Sequence, residues 1–136
     1  MWHDELGINV ELRQVEWGTF LSAESRLDYD FCRASWIGDY NDADTFLNLF
    51  LSNNGNNQTG WKNPRYDDLV HAAERETDMA KREKFFQDAE TILIRDEMPV
   101  IPVYFFVGFN YYKTNVNGIY PSIIDMHPIS SIWKGR

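Results

Sequence analysis

The chain has 136 residues, 43% of them hydrophobic and 15% aromatic, with a formal net charge of −8. That length suits one domain with a substantial core. The acidic balance argues against a nucleic-acid partner, which needs clustered Lys and Arg, whereas the 13 basic residues here are scattered. No stretch approaches the roughly 18–20 apolar residues of a membrane-spanning helix, and the N-terminus has neither the basic start nor the apolar core of a signal peptide.

Met1 to Leu6 reads as the tail of a helix, with Gly7 supplying a left-handed cap. Ile8, Val10 and Leu12 alternate with Asn9, Glu11 and Arg13, the period of a half-buried strand. Thr19 to Leu27 reads as a short helix with Phe20, Leu21 and Ala23 inward. Tyr29 to Trp36 reads as a second strand, which favours burial of Cys32, the only cysteine. A lone cysteine leaves no internal disulfide to form. Asp39 to Asp44 is an acidic turn, and Thr45 to Leu51 an apolar helix or helical turn. Ser52 to Gly60 is a polar loop rich in turn formers. Its Asn57-Gln58-Thr59 matches a glycosylation sequon, a match common in Asn-rich loops.

Pro64 starts a helix that carries Tyr66 to Glu76. Thr77-Asp78 then offers an N-cap for a long amphipathic helix over Met79–Glu97, with Phe85, Phe86, Ala89, Ile92 and Leu93 at core spacing. Its Lys81, Arg82 and Lys84 read as a solvated face. Pro99 ends it. Val100 to Phe109 is a near-continuous apolar run, the pattern of a strand buried on both faces, and Pro102 marks a strand start, bulge or edge within it. After Asn110 the pattern weakens. The alternation predicts an α/β fold, a small mixed sheet flanked by helices.

The densest chemical signal is Arg33-Ala-Ser-Trp-Ile-Gly-Asp-Tyr40. A β-type run ends at Trp36 and Gly38, and a carboxylate, Asp39, sits where the strand gives way to a loop. A carboxylate held there beside a tryptophan can take a ligand ammonium through charge-assisted hydrogen bonds. The plainer reading is a tryptophan on a sheet edge and an aspartate capping the next helix. Counted as a calcium loop from Asp39, the sixth position is Asp44 rather than Gly and the twelfth is Phe50 rather than Glu, so the match fails. His3, His71 and His127 are far apart and in no ligand pattern, so no metal is expected. No P-loop, dinucleotide fingerprint or Gly-x-Ser-x-Gly is present, and no cofactor is expected.

Trp36-Ile-Gly-Asp-Tyr40-Asn-Asp-Ala-Asp-Thr-Phe46-Leu resembles the segment that carries the ligand-amine site in extracytoplasmic peptide-binding proteins of ABC importers, the family 5 solute-binding proteins. Four further stretches resemble the family in the same order: Met1 through Leu12, Glu16-Trp-Gly-Thr-Phe20, Asn63-Pro-Arg-Tyr-Asp-Asp-Leu69 and Met98-Pro-Val-Ile-Pro-Val-Tyr104. The resemblance implies part of lobe II of a periplasmic-binding-protein type II fold over residues 1–109, incomplete at its N-terminus. It implies a return segment and tail over residues 110–136, normally packed on the other lobe. Family members run to several hundred residues, so this chain resembles about a quarter of one.

Carried over by position, Asp39 anchors a ligand α-amino group. Ser35 and Ile37 offer backbone groups to an extended peptide, Trp36 forms pocket wall with Tyr40 beside it, and Arg33 reaches toward a ligand carboxylate. For Arg33 the alternative is a salt bridge to Asp28 or Asp30. Gly38 departs from larger residues in some members. The resemblance implies a peptide or related solute as ligand, a permease as partner, and a periplasmic or extracytoplasmic location. Self-association is expected of the isolated chain, because apolar surface that normally faces another lobe is left open. Two alternatives stay open: a small carbohydrate-active enzyme using Asp39, Asp42 and Asp44, or an interaction module without a small ligand.

Overall fold

Sharp local signals set where the helices begin. The computed structural model describes residues 1–122 and 124–135; Ile123 and Arg136, both within the expected tail 110–136, lie outside the described residues. The chain divides into two compact units, Met1–Arg33 and Ala34–Arg136.

In the first unit, α1 (Trp2–Leu6) ends on Gly7, whose φ of 68° is the left-handed cap that the sequence predicts. α2 (Trp17–Ser25) starts two residues earlier than expected, because the Glu16 carboxylate accepts the Thr19 amide at 3.2 Å as its N-cap. Backbone amides, Gly18's first, hold that carboxyl below its usual pKa. No residue of α2 is buried, so Phe20, Leu21 and Ala23 do not form the expected inward stripe. Phe20 instead stacks on Trp17 with centroids 5.4 Å apart, and Phe31 meets Trp2 edge-on.

The second unit contains the core. α3 (Asp44–Leu47) runs into a 3-10 turn, Asn48–Phe50. α4 (Pro64–Arg75) has Pro64 in its first turn, where a missing N–H costs nothing. Asn63 caps it, accepting the Arg65 and Tyr66 amides at 2.9 and 3.1 Å. α5 (Met79–Thr91) is capped by Asp78, which accepts the Ala80 and Lys81 amides, and continues as a π-type turn over Ile92–Asp96. α4 packs on α5, with α3 against both. Their shared core is Leu47, Leu51, Tyr66, Val70, Ala73, Phe86, Ala89, Ile92 and Leu93, with Phe85 packed at its margin. The core spacing expected of α5 is the spacing observed.

The loop between the 3-10 turn and α4 is tied down by Asn57, which in the sequence stands out only as part of a sequon. Asn57 donates to the carbonyls of Phe50, Leu51 and Trp61, and accepts from the backbone and hydroxyl of Thr59. At the far end of α5, Glu97 accepts from the Trp61 indole at 2.5 Å and the Asn63 amide at 2.6 Å.

Strands are where expectation and structure part. Among the described residues the one sheet is a two-residue antiparallel pair, β1 (Val116–Asn117) with β2 (Trp133–Lys134). Ile8–Leu12, Tyr29–Trp36 and Val100–Phe109 carry no strand assignment. A β-pattern becomes a strand only when a neighbour takes its backbone groups. The expected two-sided burial of Val100–Phe109 fails plainly, since Phe105 is 98% exposed and Val103 81%. No described helix is long and apolar enough to cross a membrane.

Candidate functional site

The acidic turn after the Ala34–Ile37 segment is built on the core beneath it. Thr45, only 1% exposed, turns its hydroxyl outward to accept the Asp39 backbone amide at 3.0 Å. The Asp42 amide donates to the Tyr40 carbonyl at 3.0 Å, and the Asp44 amide donates to the Asp42 carboxylate at 2.9 Å. Asp42 therefore holds the first amide of α3 from one residue before the N-cap position, Ala43. Gly38 leaves no room to spare: a Cβ there would lie 3.1 Å from both the Phe46 ring and the Thr45 methyl. Its lack of a side chain lets the turn sit down on Thr45.

The three aspartates of the turn have different fates. Asp42 is gripped by both guanidinium nitrogens of Arg82, at 2.8 and 2.9 Å, and that contact chiefly holds its carboxyl below the usual range. Asp44 accepts from the Tyr40 hydroxyl at 2.6 Å and the Asn48 amide at 3.2 Å. The Asp44 partner pushes the Tyr40 phenol up to about 12. The Asp39 carboxylate takes no hydrogen bond or ion pair from any described residue, and Asp39 is exposed.

A shallow recess of about 260 Å³ opens beside this turn, lined by Gly38, Tyr40, Asn41, Asp42, Ala43, Phe46 and Ile124. Trp36 and Tyr40 are each a little under half exposed, and Ile37 more so. No backbone hydrogen bond among the described residues uses Ser35 or Ile37, so that extended segment presents free amides and carbonyls. Ser35, Trp36, Ile37, Asp39 and Tyr40 thus follow one another along one segment of the second unit, whereas Arg33 is the last residue of the first. Arg33 is exposed and forms no ion pair with Asp28, Asp30 or any other described residue. The half-buried thiol of Cys32 is pushed up chiefly by desolvation, the behaviour of an unreactive cysteine.

Arg82 is the residue that sequence patterning misses. The pattern groups it with Lys81 and Lys84 on a solvated face, yet it reaches forty residues back along the chain to Asp42. Its guanidinium also lies 4.7 Å from the centroid of the core Phe86 ring. The i, i+4 spacing to a phenylalanine does not set it apart, since Lys81 stands in the same relation to Phe85; only the guanidinium itself distinguishes Arg82 in the sequence.

Residues 1–58 match the family model described as bacterial extracellular solute-binding proteins, family 5 Middle. The oligopeptide-binding protein OppA of Bacillus subtilis is 42% identical over 120 residues, which are 88% of this chain and 22% of that protein. Among solved structures, the Escherichia coli murein tripeptide binding protein MppA superposes with a TM-score of 0.84 at 29% identity, covering 99% of this chain and 26% of that one. Haemophilus influenzae OppA, in complex with RPPGFSPFR, superposes with a TM-score of 0.77 at 32% identity, covering 99% of this chain and 27% of that one. The chain spans about a fifth to a quarter of the length of these proteins. The core is thus folded as in those structures, and the chain belongs to the bacterial extracellular solute-binding proteins of family 5.

Proposed function

We propose that this chain forms one wall of the ligand site in the solute-binding component of an ABC importer, where it captures peptides or related solutes outside the cytoplasm. Asp39 takes the ligand amine. The free backbone of Ser35 and Ile37 pairs with an extended ligand chain, as in strand addition at a sheet edge. Tyr40 lines the recess, Trp36 forms pocket wall beside the ligand, and Arg33 meets a ligand carboxylate. The observation that carries the reading is the partnerless Asp39 carboxylate, in a turn whose other two aspartates are occupied, Asp42 by Arg82 and Asp44 by Tyr40. A carboxylate without an internal partner, fixed at its own backbone, is ready for an external cation.

The relatives are solute-binding proteins, and the enzyme alternative loses support from the same geometry. A glycosidase acid needs a raised pKa, whereas Asp42 is pulled down by Arg82. Residues 1–109 are proposed as lobe II and residues 110–136 as the segment returning to a second lobe. Self-association of the isolated chain belongs to the same reading, since Trp36, Tyr120, Met126, Ile129 and Trp133 are all open to solvent.

The test is a chimera in which this chain replaces the matching segment of the Bacillus subtilis relative. Free-amine peptides are expected to bind it at least about ten-fold more tightly than their N-acetylated forms, because acetylation removes the charge-assisted pair. Equal affinity for both would remove Asp39 as the anchor.

A further inference from the structure

We infer that Arg82 is the positioning residue of the Asp39 turn: the clamp from Arg82 to Asp42 transmits the rigidity of the helical core to the loop that presents the Asp39 carboxylate. The inference deepens the ligand-site reading above and rests on it for its functional meaning, though not for its structural test.

The connection runs through contacts in one unit. Phe86 is buried in the core between α4 and α5. Arg82, one turn earlier on α5, lies over its ring at 4.7 Å. An arginine stacked on a ring is held in one plane, and its fork fits a carboxylate with two parallel hydrogen bonds. Asp42 receives both, at 2.8 and 2.9 Å, with side chains 20% and 29% exposed for Arg82 and Asp42. That is less solvent than a surface pair has, so the geometry is not averaged away.

From Asp42 two hydrogen bonds cross the turn, one from its backbone and one to its side chain. Its amide donates to the Tyr40 carbonyl, and its carboxylate accepts the Asp44 amide that starts α3. Thr45, next along, holds the Asp39 amide from inside. Asp39 is thus fixed twice: through Thr45 at its own amide, and through Tyr40 and Asp42 to Arg82. The other charged groups of the turn, Asp39 and Asp44, point to no competing cation. Lys81 and Lys84 differ from Arg82 here: Lys84 pairs with Asp88 on its own helix, and neither reaches the turn. A lysine could not replace Arg82, because a point charge lacks the fork and the flat face.

The experiment is residue-resolved hydrogen exchange by NMR on the 136-residue chain. Arg82→Met, which keeps much of the stem over Phe86, and Asp42→Asn are each expected to speed exchange of the Asp39 amide by about ten-fold, or 1.4 kcal/mol. The double variant should be no faster than either single one, because both remove the same clamp. The Val70 and Ala89 amides should stay within about two-fold of wild type, which separates a local clamp from general loosening. Arg82→Lys should recover only part of the protection. An Asp39 amide unchanged in Arg82→Met, or core amides that speed up in parallel with it, would overturn the inference. Neither result depends on whether Asp39 binds an amine, which the Asp39→Asn variant decides separately.

Discussion

Tyr66 joins the core to the end of α3, and Tyr66→Phe measures that joint. The side chain is fully buried, and its hydroxyl donates to the Leu47 carbonyl at 2.5 Å. Burial also pushes the phenol well up, which favours the protonated donor. Phenylalanine keeps the ring and its edge contact with Trp61, 5.0 Å between centroids, and it leaves a buried carbonyl without this donor. Loss of one partner from a buried pair costs about 1–3 kcal/mol. For a unit of this size each kcal/mol lowers Tm by about 4–6 °C, so a fall of about 4–18 °C is expected. Leu47 is two residues past Thr45, so the Asp39 amide should lose protection as well. Calorimetry with a urea titration reads the stability, and amide exchange reads the turn. A Tm within about 2 °C of wild type would refute the assignment of Tyr66 as the fastening of α3.

Other contacts are testable one at a time. Asp42 has a lowered folded-state pKa, chiefly from Arg82, so its contribution to stability is present above the unfolded carboxylate pKa and is lost as pH falls through the folded value. The stability gap between wild type and Asp42→Asn should therefore be widest near neutrality and close on acidification; a gap independent of pH in acid titrations of urea midpoints would contradict the ion pair. Gly38→Ala places a methyl against the buried Thr45, which cannot give way, and should destabilise by about 1 kcal/mol; chemical denaturation that finds it neutral or stabilising would show the turn has slack. If the chain supplies one wall of the site, as proposed, calorimetry of the 136-residue chain with di- to pentapeptides should find dissociation constants no tighter than roughly millimolar; micromolar binding by the monomer would contradict that.

What the sequence makes legible is what local chemistry decides. Gly7, Asn63-Pro64 and Asp78 each end or begin a helix through their own side chain or φ, and all three are readable without a structure. The α5 stripe is readable for the same reason, since one helical period fixes which side chains meet the core. The apolar run at Val100–Phe109 is not, because strand periodicity says which faces want cover but not whether a partner strand supplies it. Asp42 and Arg82 are forty residues apart, and no local pattern pairs them. At the candidate site, the segment Ser35–Tyr40 is legible from its resemblance to a family. What separates Asp39 from Asp42 and Asp44 is not, because it depends on which side chains hold the other two.

The most direct measurement of the central claim is a pair of peptide-binding isotherms on the chimera that carries this chain, for wild type and Asp39→Asn. Removing the carboxylate charge from an enclosed ammonium should cost about 3 kcal/mol or more, close to 100-fold in affinity. Circular dichroism should be unchanged, because no described residue depends on the Asp39 side chain. Asp42→Asn should weaken binding far less than Asp39→Asn, since it acts only through the turn. A loss of about 100-fold confined to Asp39→Asn and to free-amine peptides is the predicted result; equal affinity for wild type and Asp39→Asn would contradict the account.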